Sequence, residues 1–196
     1  MNFIFRYKNQ WKNINYDTIK DYLLKHKYKG PDPFKGHKYR TTVDPYVDGS
    51  YVIATDEREE IQKVPLYYLD KIVKLCKERE IDLILYSVPS PKCWSYARHN
   101  SNADFAERNQ LPYIDFNLLQ EEINLDWSRD TSDKGDHINF YGAQKVTAYI
   151  GEYLSTHYDL PDHRQETSYS DWNEVLEDYL KETKQDNANA SQEASK

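Results

Sequence analysis

Apolar positions along this chain recur with two different periods, and the switch between them sets the expected order of elements. In 17–28, DTIKDYLLKHKY, Ile19, Tyr22 and Leu23 share a face behind Asp17 as N-cap, which predicts a short helix. GPDPFKGHKYR then breaks regular structure with its Gly and Pro. Residues 41–55 are rich in β-branched and aromatic residues, and Asp48-Gly49 suits a small hairpin turn or a loop end. The clearest helix is expected over 57–80, where Ile61, Val64, Tyr68, Ile72, Leu75 and Cys76 repeat at helical spacing and Pro65 falls in the first two turns. IDLILYSVPSP follows as a near-continuous apolar run, the pattern of a strand covered on both faces.

Residues 100–110 suit another helix and PYIDF, 112–116, a second short buried strand. A polar stretch runs to 136. The last strong helix spans 140–157, with Ala143, Val146, Ile150, Tyr153 and Leu154 as its apolar stripe. After a loop over 161–170, SDWNEVLEDYLKE suits one more helix. KQDNANASQEASK has nothing to bury, so a domain over 1–182 and a disordered tail over 183–196 are expected. Helix, strand, helix, strand, helix is the order of an α/β fold with parallel strands and crossover helices. Ligands in such sheets bind at the carboxyl ends of strands. SVPSPKCW, after the first strand, and DKGDHINFYG, before the last strong helix, are the stretches expected there.

The chain has 196 residues, enough for one domain with a real core. No apolar run reaches the roughly 18 residues of a membrane span, and MNFIFRYKNQW has no signal-peptide core. The expectation is a soluble chain without membrane segment or address, cytoplasmic by default. Net charge is −7, with residues 1–40 at +7 and the remainder at −14. Those early lysines stand singly among tyrosines, without a nucleic-acid-binding motif, so self-docking of a basic arm onto an acidic body is the better reading than nucleic acid. The only cysteines, Cys76 and Cys93, form no disulfide framework.

His137 carries the candidate chemistry. Imidazole titrates near neutrality and serves as a general base once a partner fixes its tautomer, and carboxylates stand at Asp133 and Asp136. Asn139 suits the cap of the helix behind it. The same histidine also reads as an ordinary polar helix entry. A metal-dependent reading would use His137, Asp133 and Asp136, but His26, His37, His99, His157 and His163 form no ligand-spaced pair, so no metal and no other cofactor is expected.

DKGDHINFYGAQKVTAYIGEYL resembles the last conserved block of the SGNH/GDSL hydrolases, with Ile138 where Leu is usual. IDLILYSVPSPKCW resembles the central strand and following loop of one bacterial subgroup, with Val88 where Thr is common. FRYKNQW near the start and LPDHR…DW near the end also fit, so the likeness covers most of residues 3 to 172. It implies a three-layer α/β/α, flavodoxin-like sheet and a Ser–His–Asp esterase acting on acetyl or acyl groups, often on carbohydrate. His137 matches the base. The family's acid lies two or three residues upstream, where this chain has Gly135 and Lys134, so Asp133 and Asp136 both remain candidates. Adjacent side chains on an extended segment point apart, which favours Asp133.

Ser90 is a candidate for orienting substrate or completing an oxyanion site, with Trp94 and Asn139 in the same region; Trp94 and Tyr96 would also suit stacking on a sugar ring. The family's nucleophilic serine belongs to a Gly-Asp-Ser-like turn upstream of everything matched here. Asp48-Gly49-Ser50 is the one look-alike, and it reads as a turn. The expectation is therefore the C-terminal part of a hydrolase with an incomplete sheet, catalytically incomplete alone, and completed by an N-terminal half or by a second copy. Relatives often act outside the cell membrane. A non-catalytic or partner-binding domain of the same fold is the alternative.

Overall fold

The computed structural model describes Phe34, Lys35, His37 and residues 39–193. The helix expected over 17–28 and most of the basic arm lie outside them. The chain divides into two compact units, one of residues 39–162 and one combining 1–38 with 163–196, where a single domain over 1–182 is expected from sequence.

The larger unit runs α1 (Lys63–Glu78), β1 (Leu85–Ser87), α2 (Tyr96–Asn109), β2 (Tyr113–Asp115) and α3 (Phe140–His157). β1 and β2 pair in parallel, Leu85 opposite Tyr113 and Ser87 opposite Asp115. A parallel pair requires a crossover, and α2 provides it. The fold is mixed α/β, and among the described residues the sheet has two strands. No helix among them is long and apolar enough to cross a membrane.

α1 begins at Lys63 rather than 57. Pro65 sets that start, because its missing N–H and its ring are tolerated only in a first turn. Residues 55–60 instead run as a strap along α2. Glu59 N donates to Ala97 O (3.1 Å), Asn100 Nδ2 to the carbonyls of Thr55 and Glu57, and Arg58 and Arg98 pair with Asp104 and Glu59, each at 2.8 Å.

Two expectations of burial are corrected. Val64, Tyr68, Ile72 and Leu75, the stripe expected inside, are 47–60 % exposed, and α1 turns Val73 inward instead. β1 is not covered on both faces, since Tyr86 and Val88 stand exposed. The apolar pattern is amphipathic as expected, but among the described residues nothing covers that side. Residues 41–55 form no hairpin. They lie extended along the later loop, with Asp44 N bonded to Thr131 O, Tyr46 N to Trp127 O and Lys134 N to Asp44 O.

The core gathers behind β2. Phe116, Ile123 and Val146 are buried together, and Ile114, Leu119, Ile138, Tyr149 and Ile150 pack around them. Asn139 caps α3 through Oδ1, accepting from the amides of Tyr141 and Gly142. Gly142 is required there: a Cβ would sit 2.6 Å from the Asp130 carbonyl. The buried Asp130 carboxylate pairs with Lys145 of α3 at 2.6 Å, tying that helix to the loop that precedes it.

In the other unit, a 3₁₀ turn (Thr167–Tyr169) leads into α4 (Ser170–Glu193). Phe34 and His37 meet the Tyr179 ring edge-on, and Lys35 pairs with Asp171. Helical backbone thus continues through most of the stretch where a disordered tail is expected. Its Lys, Gln, Ala and Glu are compatible with helix even where composition offers no core to pack on.

Candidate functional site

The loop from Thr131 to Ile138 is closed at its base by an antiparallel bridge between those two residues. Ser132 N and Thr131 Oγ1 both donate to the His137 carbonyl, and Gly135 N donates to Thr131 Oγ1 at 2.8 Å. At its tip Lys134 and Gly135 both take positive φ, 57° and 87°. This double left-handed turn curls the chain so that residues four apart meet. Asp133 Oδ1 accepts the His137 amide and Oδ2 faces His137 Nδ1, each at 2.7 Å. Asp136 Oδ2 lies 3.8 Å from the same nitrogen and is outside hydrogen-bond range.

A carboxylate accepts only from Nδ1–H, which leaves the Nε2 lone pair as the basic site. Among the described residues nothing hydrogen-bonds Nε2, and the His137 side chain is well exposed. Burial raises the Asp133 carboxyl, but the amide and ring of His137 and the charges of His137 and Lys92 outweigh it, and the group sits below the usual carboxylate range. Arg40 approaches Asp133 at 3.9 Å, and Lys92 donates to its carbonyl. The ligand atoms of Asp133, Asp136 and His137 lie within 4.8 Å of one another. Asp133 and His137 already satisfy each other there, an arrangement that suits a base and its orienting acid.

The loop after β1 packs against this turn. Ser90 Oγ donates to the carbonyls of Asp136 (3.0 Å) and Gly135 (3.3 Å), and Cys93 Sγ donates to Asp136 Oδ1 at 3.0 Å. That bond, followed by partial burial and the Asp136 charge, pushes the Cys93 thiol up despite the opposing Ser90 contact. Gly135 packs so closely on Pro91 that a Cβ would approach its Cγ to 2.9 Å. Ser90 therefore braces the loop, its hydroxyl hydrogen-bonded to the Gly135 and Asp136 carbonyls and not to the His137 ring. Among the described residues no Ser, Thr or Cys side chain hydrogen-bonds that ring.

Trp94 and Asn139 take structural places. Trp94 Nε1 donates to Asp115 Oδ2 at 2.8 Å, with the ring edge-on to Tyr51 and Tyr96. Asn139 is buried, its Nδ2 spent on the carbonyls of Thr42, Arg129 and Thr131. Both ends of its amide are occupied within the protein, Oδ1 as the cap expected from sequence. The chain bends at Asp48, and Ser50 lies exposed after Gly49, which takes a φ of 81°. It borders an open cleft of about 560 Å³ with Tyr46, Tyr51, Gln120 and Trp127.

Sequence reasoning misses the hub at the carboxyl end of β2. Asp115 Oδ2 accepts from Trp94, from Tyr113 OH (3.0 Å) and from His99 Nδ1 (2.8 Å), and Oδ1 accepts the amide N–H and Nδ2 of Asn117. Asn117 Oδ1 in turn receives Tyr51 OH and Ser90 N, both at 2.9 Å. Burial, with the Asp115 charge, pushes the Tyr113 phenol up to about 12 and raises Tyr51 further. The available signal is an acidic residue ending a buried strand, followed two residues later by Asn.

Compared with known protein families, characterised proteins and solved structures, the chain shows no significant match.

Proposed function

We propose that this chain provides the histidine–aspartate half of an SGNH/GDSL-type esterase or acyl transferase, with a three-layer α/β/α flavodoxin-like fold and acetyl or acyl esters, including those on carbohydrate, as substrates. The single observation that carries the reading is the His137–Asp133 pair: a 2.7 Å bond to Nδ1, a second to the amide of the same residue, and an Nε2 left open. Asp133 holds the ring in the Nδ1–H tautomer and stabilises the imidazolium that forms when Nε2 takes a proton from the attacking hydroxyl. His137 then returns that proton to the leaving alkoxide. The nucleophile comes from outside the described residues, from an N-terminal half or a second chain, or is water.

The alternative, a non-catalytic or partner-binding domain of the same fold, is favoured by the lack of any hydroxyl on the His137 ring among those residues. Aryl-acetate hydrolysis by the wild-type chain and by His137→Ala separates the two. With a second copy or water as nucleophile, the expected result is a fall of about 10²-fold or more with the fold intact, the contribution of a positioned general base. Equal rates above the buffer background select the non-catalytic reading.

A further inference from the structure

The cleft of about 560 Å³ beside Trp127 shares two of its residues with the packing of the His137 loop. The Tyr46 ring lies against Gly135, where a Cβ would stand 3.1 Å from Tyr46 Cδ2. Asn117 Oδ1 accepts Tyr51 OH on the cleft side and Ser90 N on the loop side, each at 2.9 Å. Three rings make the apolar wall. Tyr46, Tyr51 and Trp127 meet edge to face with centroids 5.8–6.1 Å apart. Hydrogen bonds fix them in place: Trp127 Nε1 donates to Gln120 Oε1, and Gln120 Nε2 donates to the Asn117 carbonyl, each at 2.6 Å. Aromatic surface held in this way loses little conformational freedom when a ligand arrives. Ser50 and Glu121 stand exposed on the cleft, and among the described residues neither side chain has a hydrogen-bond partner.

The lining narrows the ligand chemistry. It holds no Lys, Arg or His, so nothing in it pairs with a phosphate or a carboxylate. The rings touch one another and leave no gap between them to cage a cation on several faces. A cleft this open, with polar groups on one side, would leave much of an acyl chain in water. A neutral polyhydroxyl ring suits both sides. Its C–H face stacks on the aromatic wall, and its hydroxyls reach Ser50 and Glu121. We infer that this cleft binds an uncharged saccharide. The binding stands without the hydrolase reading; only the further step, that the bound sugar carries the ester presented to His137, rests on that reading.

Proton–nitrogen NMR with chitotetraose and cellotetraose, two neutral sugar chains, and with octaproline as the peptide alternative tests it. The reporter is the Trp127 indole N–H, identified by its loss in Trp127→Phe. Either sugar should shift it saturably, and octaproline should not. Ser50→Trp puts a bulky ring into the cleft from an exposed position and should abolish the shift with circular dichroism unchanged. Glu121→Gln should weaken binding about 3- to 10-fold, the effect of one net hydrogen bond. His137→Ala should bind sugar as wild type does. A chain that binds sugar yet hydrolyses aryl acetate equally with and without His137 therefore keeps the cleft and loses the hydrolase. No saturable shift with either sugar up to about 10 mM, enough to fill a millimolar site, overturns the inference. So does binding of octaproline alone, or sugar binding untouched by either cleft substitution.

Discussion

Asn139 joins the loop that holds His137 to the helix behind it, and replacing it by Ser or by Ala separates the two tasks. Its Oδ1 caps α3 by accepting from Tyr141 N (3.0 Å) and Gly142 N (3.3 Å). Its two Nδ2 protons serve three carbonyls, those of Arg129 (2.7 Å), Thr42 (3.1 Å) and Thr131 (3.2 Å). Serine keeps a capping oxygen and loses the anchors. Alanine loses both. Two net hydrogen bonds at about 1 kcal/mol each make Asn139→Ser destabilising by roughly 2 kcal/mol. Loss of the cap adds about 1 kcal/mol, so Asn139→Ala should cost roughly 3 kcal/mol. Urea unfolding followed by tryptophan fluorescence measures both differences. Equal effects for Ser and Ala would refute the cap, and a cost below about 0.5 kcal/mol for Ser, the range of ordinary surface changes, would refute the anchor.

Gly135→Ala should destabilise the chain by about 1–3 kcal/mol, because a Cβ meets Pro91 at 2.9 Å on a backbone with φ of 87°; a urea midpoint equal to wild type would contradict that packing. Asp133 titrates below its ordinary range in the folded chain, so its contribution to stability is present above about pH 4 and is lost as pH falls through the lower folded value. The stability gap between wild type and Asp133→Asn should therefore close on acidification below about pH 4. Ser90 should escape fluorophosphonate labelling, because its hydroxyl is spent on the carbonyls of Gly135 and Asp136; a labelled Ser90 in peptide mass spectra would make it the nucleophile. Tyr113 should remain a phenol until about pH 12 in an ultraviolet titration, an early tyrosinate signal lost in Tyr113→Phe being the contrary result.

The helix at Phe140–His157 is legible because cap, stripe and small residues all agree: Asn139 precedes it, Val146 and Ile150 share a face, and Gly142 meets Asp130. The parallel strand pair is legible from two short apolar runs separated by a helical stretch. The direction of α1 is not. Val64, Tyr68, Ile72 and Leu75 establish that one face is apolar, but amphipathicity does not say whether the same copy of the chain covers it. At the site, His137 is legible from its neighbours, while its meeting with Asp133 depends on consecutive positive φ at Lys134 and Gly135. A non-glycine residue in that conformation gives little sequence signal. The Asp115 hub is hidden for another reason: its donors come from 94, 99, 113 and 117, and only the crossover brings them to one carboxylate.

Asp133 holds the His137 ring by Nδ1 and leaves Nε2 open, and the ring nitrogens report that arrangement directly. Long-range proton–nitrogen correlation spectra of the neutral histidines, recorded on wild type and on Asp133→Asn, assign each tautomer. His137 should be the Nδ1–H form in wild type, with that preference lost in Asp133→Asn. A wild-type His137 protonated on Nε2, or a tautomer indifferent to Asp133, would contradict it.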